Sequence, residues 1–116
     1  MYKVKAQYRL KKSYQFNYVY KKGQSASDKN LVLLYCPLKN NLKIGFSVSK
    51  KYGHAVARNR IRRQLRVCAT LLLPRTKRGY TLVWMPRATA SHEFSVLLAS
   101  MEKLLTNVDL LTGDAQ

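Results

Sequence analysis

An α+β fold is predicted for this chain: a two-layer α/β sandwich with three helices and a small mixed sheet of about four strands. Three observations predict it. Apolar residues recur at helical spacing in three stretches, and the short runs between them are continuously apolar or alternate with period two. The two kinds of pattern interleave along the chain, which favours layers over a bundle or a pure sheet. At 116 residues, 47% of them apolar, the chain has material for one core and one domain.

In order, Ser13 can cap a first helix and Gly23 can end it. Phe16, Val19 and Tyr20 fall at i, i+3 and i+4 on one face, with Tyr14 and Tyr18 elsewhere. Lys21 and Lys22 suit the helix's negative end. A short extra strand is expected near Ser25–Ser27. Leu31-Val32-Leu33-Leu34-Tyr35-Cys36, stopped by Pro37, reads as a buried strand, and Lys39-Asn40-Asn41 as a turn. From Lys43 to Ser49 the chain alternates. Ile44, Phe46 and Val48 share one face; Lys43, Gly45, Ser47 and Ser49 share the other, and its small residues would leave a groove.

A long helix is predicted from about Ala55 to Leu73, ending before Pro74. Its core stripe is Ala57, Ile61, Leu65, Cys68 and Leu72. Thr76-Lys77-Arg78-Gly79 is a turn. Tyr80 to Met85 is a strand stopped by Pro86. Ser91 can cap a last helix with Glu93 in its first turn, and Phe94, Leu97, Leu98, Met101, Leu104 and Leu105 form its apolar stripe. One domain over 1–116 is expected, with an ordered core of about 9–105 and a flexible tail at 107–116.

The net charge is +17 and unevenly placed. Residues 1–87 hold 21 of the 22 Lys and Arg and one acid, Asp28; residues 88–116 hold Lys103 against four acids. The first three quarters of the chain therefore present the surface for an anionic partner. Cys36 and Cys68 sit inside apolar runs, as buried free thiols of a reducing cytoplasm do. His54 and His92 stand apart from any cysteine or carboxylate cluster, so no metal site is predicted. The five carboxylates form no cluster with one another or with a histidine, so no catalytic residue is assigned. No apolar run approaches the ~18 residues of a membrane span. Met1-Tyr2-Lys3-Val4-Lys5 lacks the apolar core of a signal peptide, so a cytoplasmic protein with no membrane partner is expected.

The long helix carries the functional signal. Arg58, Asn59, Arg62, Arg63 and Arg66 are expected opposite its core stripe, with Arg60 to one side. Arg58, Arg62 and Arg66 are like charges at successive i, i+4 positions, each pair costing roughly 0.2–0.5 kcal/mol in an isolated helix. No acid in the helix relieves them. A solvated face mixes signs; this one reads as a phosphate-binding ridge, which Lys50 and Lys51 extend. Eight Tyr and three Phe accompany the charge. Rings beside a basic track suit unpaired bases, which stack for about 1–3 kcal/mol each. No half-site or dimer device points to DNA.

The stretch Lys43-Ile44-Gly45-Phe46-Ser47-Val48-Ser49-Lys50-Lys51, followed by Ala57-Arg58-Asn59-Arg60-Ile61-Arg62-Arg63-Gln64-Leu65-Arg66, resembles the signature of the bacterial ribonuclease P protein subunit. Phe16-Asn17-Tyr18-Val19-Tyr20 with Gly23 extends the likeness, which covers roughly residues 9–105. The resemblance implies a left-handed crossover around the Arg-rich helix. It implies a catalytic RNA partner, one protein per RNA, that removes the 5′ leader of precursor tRNA with Mg2+ held mainly by the RNA. By position, Lys51, Arg58, Asn59, Arg60, Arg62, Arg63 and Arg66 would dock on that RNA. Phe16, Tyr20, Leu34, Ser47, Ser49 and Lys50 would form a cleft for the leader. One departure is Leu34, where some members carry a Tyr; here Tyr35 stands next door on the opposite face. A ribosomal or other structural RNA-binding protein with no role in cleavage is the alternative.

Overall fold

The structure, a computed structural model, describes residues 6–39, 41–88 and 93–112. The elements are α1 (Ser13–Lys22), β1 (Gln24–Ser27), β2 (Leu31–Pro37), β3 (Leu42–Phe46), α2 (Ala55–Leu72), β4 (Tyr80–Pro86) and α3 (Phe94–Asn107). The strands form one sheet in the order β1-β2-β4-β3. β2 pairs antiparallel with β1 and β4, while β3 pairs parallel with β4 through the α2 crossover. This is the expected α+β class, with three helices, a mixed four-stranded sheet and the short strand near Ser25.

Alternation along the strands sorts the core into two clusters. Leu31, Leu33, Leu42, Ile44, Leu82 and Trp84 share one face and pack with Ile61, Leu65, Cys68 and Leu72 of α2 and Leu97, Met101 and Leu104 of α3. Cys36 and Val83 turn the other way and pack with Leu10 and Val19, joined by half-buried Phe16, Leu34 and Met85. So α2 and α3 make the main layer on the sheet, and α1 lies across the opposite face. A single helix of about 10–12 Å diameter cannot cover that face. Concavities remain on both of its flanks.

Local chemistry moves several boundaries. Ser13 is the first helical residue of α1 and Lys12 the cap. The Lys12 backbone N–H donates to Gln15 Oε1 at 3.1 Å. That is the half of a capping box that needs no hydroxyl at the cap. Gly23 does end α1, in extended conformation, and a Cβ there would lie 2.5 Å from the Val19 carbonyl oxygen. Close approach, rather than a left-handed turn, selects glycine. Pro37 and Pro86 end their strands from inside, opposite Tyr80 and Leu31. α2 stops at Leu72, and a 3-10 turn carries the chain across Pro74 to Arg75. Glu93 is the cap residue of α3 rather than part of its first turn; Ser91 lies outside the described residues.

Residues 107–112, expected to be tail, are built into the fold. Asp109 adopts φ 59, the left-handed conformation that Asp tolerates, and reverses the chain after α3. Leu110 is buried, its N–H donating to the Leu105 carbonyl at 2.8 Å. The Thr112 N–H donates to the Arg75 carbonyl at 2.7 Å. Both cysteines are buried and free, and burial pushes the Cys68 thiol up to about 11.

Candidate nucleic-acid interface

α2 turns about 100° per residue. With Ile61, Leu65, Cys68, Ala69 and Leu72 buried, Arg58 and Arg62 fall on the flank beside the stripe, not opposite it. Both are half-buried, while Asn59, Arg60, Arg63 and Arg66 are exposed. Arg62 Nη1 donates to Asn59 Oδ1 at 3.0 Å, which fixes the guanidinium's direction. Partial burial first, then the charges of Arg62 and Arg9, hold the Arg66 guanidinium below its ordinary value. Arg9 reaches this cluster from the N-terminal segment that bridges to Ile44 along the outer edge of β3.

None of the α2 arginines pairs with a carboxylate among the described residues. The ion pairs Arg75–Glu102 (3.5 Å) and Lys77–Asp109 (3.1 Å) lie past the helix's C-terminal end. The first turn of α2 holds no acid either. Positive side chains near the positive end of the helix dipole oppose folding slightly and favour a bound phosphate.

Beside this ridge is a cleft of about 360 Å³. Ser13, Phe16, Asn17 and Tyr20 form its α1 wall, Phe46, Ser47 and Val48 its floor, and Arg62 its rim. The Phe16 and Tyr20 ring centroids are 6.4 Å apart with planes tilted by 42°. The Tyr20 hydroxyl donates to Ser47 Oγ at 2.8 Å. The cleft thus combines aromatic faces, small polar groups and a cation, a chemistry suited to a base and its phosphate.

The groove expected from the small face of β3 is only half open. A Cβ at Gly45 would stand 2.6 Å from the Phe16 ring and 3.0 Å from Leu10 Cβ, so Phe16 already fills the space above that glycine. Phe16 is therefore both wall and core, and Tyr20, 45% exposed, offers the freer ring. Gly45→Ala should push the Phe16 ring toward the cleft and cost about 1–3 kcal/mol as an overpacked core substitution does. Thermal melting, with the Phe16 ring resonances followed by NMR, checks this; an unshifted ring at unchanged stability would contradict it.

The structure brings Phe16, Tyr20 and Ser47 together. Leu34 lies half-buried in the cluster beneath α1 and does not line the cleft. β3 ends at Phe46, with the Ser47 N–H still donating to the Trp84 carbonyl at 3.0 Å. Ser49 then heads a 3-10 turn, and it stands exposed with Lys50 and Lys51, outside the cleft lining. Sequence reasoning missed Ser13, Asn17, Phe46 and Val48 as cleft residues, and Arg62 as shared between ridge and cleft. It also missed Arg9, whose signal was only its place four residues before the first helix.

Comparison with known proteins supplies the family. The model of the Ribonuclease P family matches residues 4–109. A ribonuclease P protein component from Thermoanaerobacter sp. is 37% identical over 110 residues, covering 91% of this chain and 93% of that protein. One from Oceanobacillus iheyensis is 38% identical over 111 residues, covering 93% and 92%. The solved RNase P protein of Staphylococcus aureus aligns with a TM-score of 0.81 at 30% identity, over 90% of this chain and 98% of that one. That of Thermotoga maritima, at 24% identity and a TM-score of 0.78 over 85% and 96%, shares the fold.

Proposed function

The chain belongs to the ribonuclease P protein family, and from that membership we propose that its two surfaces divide the enzyme's work. The α2 ridge docks on the catalytic RNA subunit, one protein per RNA, and the α1 cleft holds the single-stranded 5′ leader of precursor tRNA. The protein is the protein component of a ribonucleoprotein endoribonuclease that acts in tRNA processing. Family membership favours this over a ribosomal role.

The observation that carries the division is Arg62. It belongs to the α2 ridge and also forms the rim of a cleft walled by Phe16 and Tyr20. RNA on the ridge and a single strand in the cleft would therefore lie side by side. Among the described residues no three of His, Cys, Asp and Glu gather into a metal-binding group. We assign the Mg2+ and the hydrolysis to the RNA; no carboxylate is among the residues that line the cleft. The protein's own contribution is to hold the leader: rings stack on its bases, and Arg62 with its neighbours meets its phosphates. No described helix is long and apolar enough to cross a membrane.

Reconstitution tests this reading. The protein alone should leave precursor tRNA uncut at the mature 5′ end. With the RNA subunit it should restore cleavage at low magnesium and tighten binding of precursor more than of mature tRNA. Specific 5′ cleavage by RNA-free protein would overturn the assignment of chemistry; equal tightening of both ligands would overturn the leader cleft.

A further inference from the structure

α1 carries two aromatic pairs at i, i+4, and they lie on opposite flanks. Phe16 and Tyr20 face the cleft already described. Tyr14 and Tyr18 stand about half a turn away on the helix, 70% and 58% exposed. Beneath these two rings is a second concavity, of about 310 Å³, between the far flank of α1 and the start of β4. Its floor is apolar, with Leu10, Val19 and Leu38, and its polar groups include Asn41, Thr81 and Lys43. The Lys43 ammonium is held there by the Gln7 carbonyl at 2.7 Å.

Exposed tyrosines over an apolar hollow are not explained by the core. Val19 is the one buried residue of α1, and the helix needs neither Tyr14 nor Tyr18 to stay on the sheet. A volume near 300 Å³ is at the small end for ligand pockets and matches one base with its sugar. The surroundings are cationic: Lys11, Lys12 and Lys39 are exposed nearby in sequence, and Lys43 lines the wall. Flat apolar faces with cations at the edge suit a nucleotide and suit a neutral apolar peptide poorly.

The crest of α1 links the two flanks. Ser13, Asn17 and Lys21 recur at i, i+4 and i+8, all exposed, between the Phe16/Tyr20 side and the Tyr14/Tyr18 side. They give a strand crossing the helix two hydrogen-bonding groups and one charge, and nothing bulky. We propose that the Tyr14/Tyr18 pocket is a second base subsite, taking one unpaired nucleotide from the upstream part of the precursor's 5′ leader after the strand has passed over α1. This rests on the leader reading of the first cleft.

The test uses the reconstituted enzyme and precursors with leaders of increasing length. Wild-type affinity should rise in two stages, the second only with longer leaders. Tyr14→Ala/Tyr18→Ala should abolish the second stage, a loss of roughly five- to a hundredfold, and leave short-leader precursors and mature tRNA unaffected. Tyr14→Phe/Tyr18→Phe, which keeps the rings, should retain it. Tyr20→Ala is the control for the first cleft and should weaken precursors with every leader length. If it does so while the double alanine variant behaves as wild type, the second subsite is wrong and the first stands. A double-variant loss equal for mature and precursor tRNA would also overturn the proposal, because the pocket would then seat a base of the RNA subunit. If Tyr20→Ala has no effect, the leader reading itself fails.

Discussion

With Arg58, Arg62 and Arg66 all replaced by alanine, the protein should fold as before and bind the RNA subunit about a hundredfold more weakly at 0.1 M salt. The estimate follows from counterion release: three lost phosphate contacts, each contributing a log–log slope of roughly 0.7, sum to about two decades at that salt. The same variant should show a salt dependence shallower by about 2 units. Fold stability is expected to hold because opposing effects nearly cancel. Two i, i+4 repulsions disappear, worth roughly 0.2–0.5 kcal/mol each. Against that, the half-buried stems of Arg58 and Arg62 lose packing. Arg60→Ala, on an exposed side chain of the other flank, should cost one unit of that slope or less. RNA affinity as a function of salt, with a melting curve of the free protein, decides the matter. A large fall in melting temperature with unchanged affinity would mean that these side chains serve the fold.

The elements were legible wherever one face is buried and the period is clean. The stripes Ile61-Leu65-Cys68-Leu72 and Leu97-Met101-Leu104 are buried as their spacing requires. The apolar runs of β2 and β4 lie side by side in the sheet, Leu33 opposite Trp84. Periodicity states which residues share a face, and it does not state what covers that face. The contact between Gly45 and Phe16 joins residues far apart in sequence, so the half-filled groove could not be read from β3 alone. Nor does alternation say where a partner strand stops, and Ser47-Val48-Ser49 continued the pattern beyond β3 itself.

The site was legible in kind and not in geometry. An arginine face without acids is a property of the sequence. That Arg62 belongs to both ridge and cleft depends on α1 lying across the sheet from α2. The packed chain after α3 had no strong sequence signal either. It depends on Asp109 accepting a left-handed conformation, with its carboxylate 3.1 Å from the Lys77 ammonium.

Tyr20→Ala is the sharper test of the leader cleft than Phe16→Ala, although both rings share one side of α1. Removing Phe16 would empty the space above Gly45, so a loss of binding would mix lost stacking with a loosened core. Tyr20 is 45% exposed, and its tie to the sheet is the hydroxyl donated to Ser47 Oγ at 2.8 Å. Tyr20→Ala should therefore leave the melting temperature nearly unchanged. It should weaken binding of precursor tRNA to the assembled enzyme by roughly five- to a hundredfold, the loss of about 1–3 kcal/mol of stacking on one base. Tyr20→Phe keeps the ring and gives up one exposed hydrogen bond, worth about 1 kcal/mol, so it should cost about fivefold or less. Mature tRNA has no leader, and its affinity should be the same for both variants as for the wild type. Measuring both ligands on each reconstituted variant separates the possibilities. Equal losses for precursor and mature tRNA would show that Tyr20 contacts the RNA subunit or the tRNA body, and the leader would have to bind elsewhere.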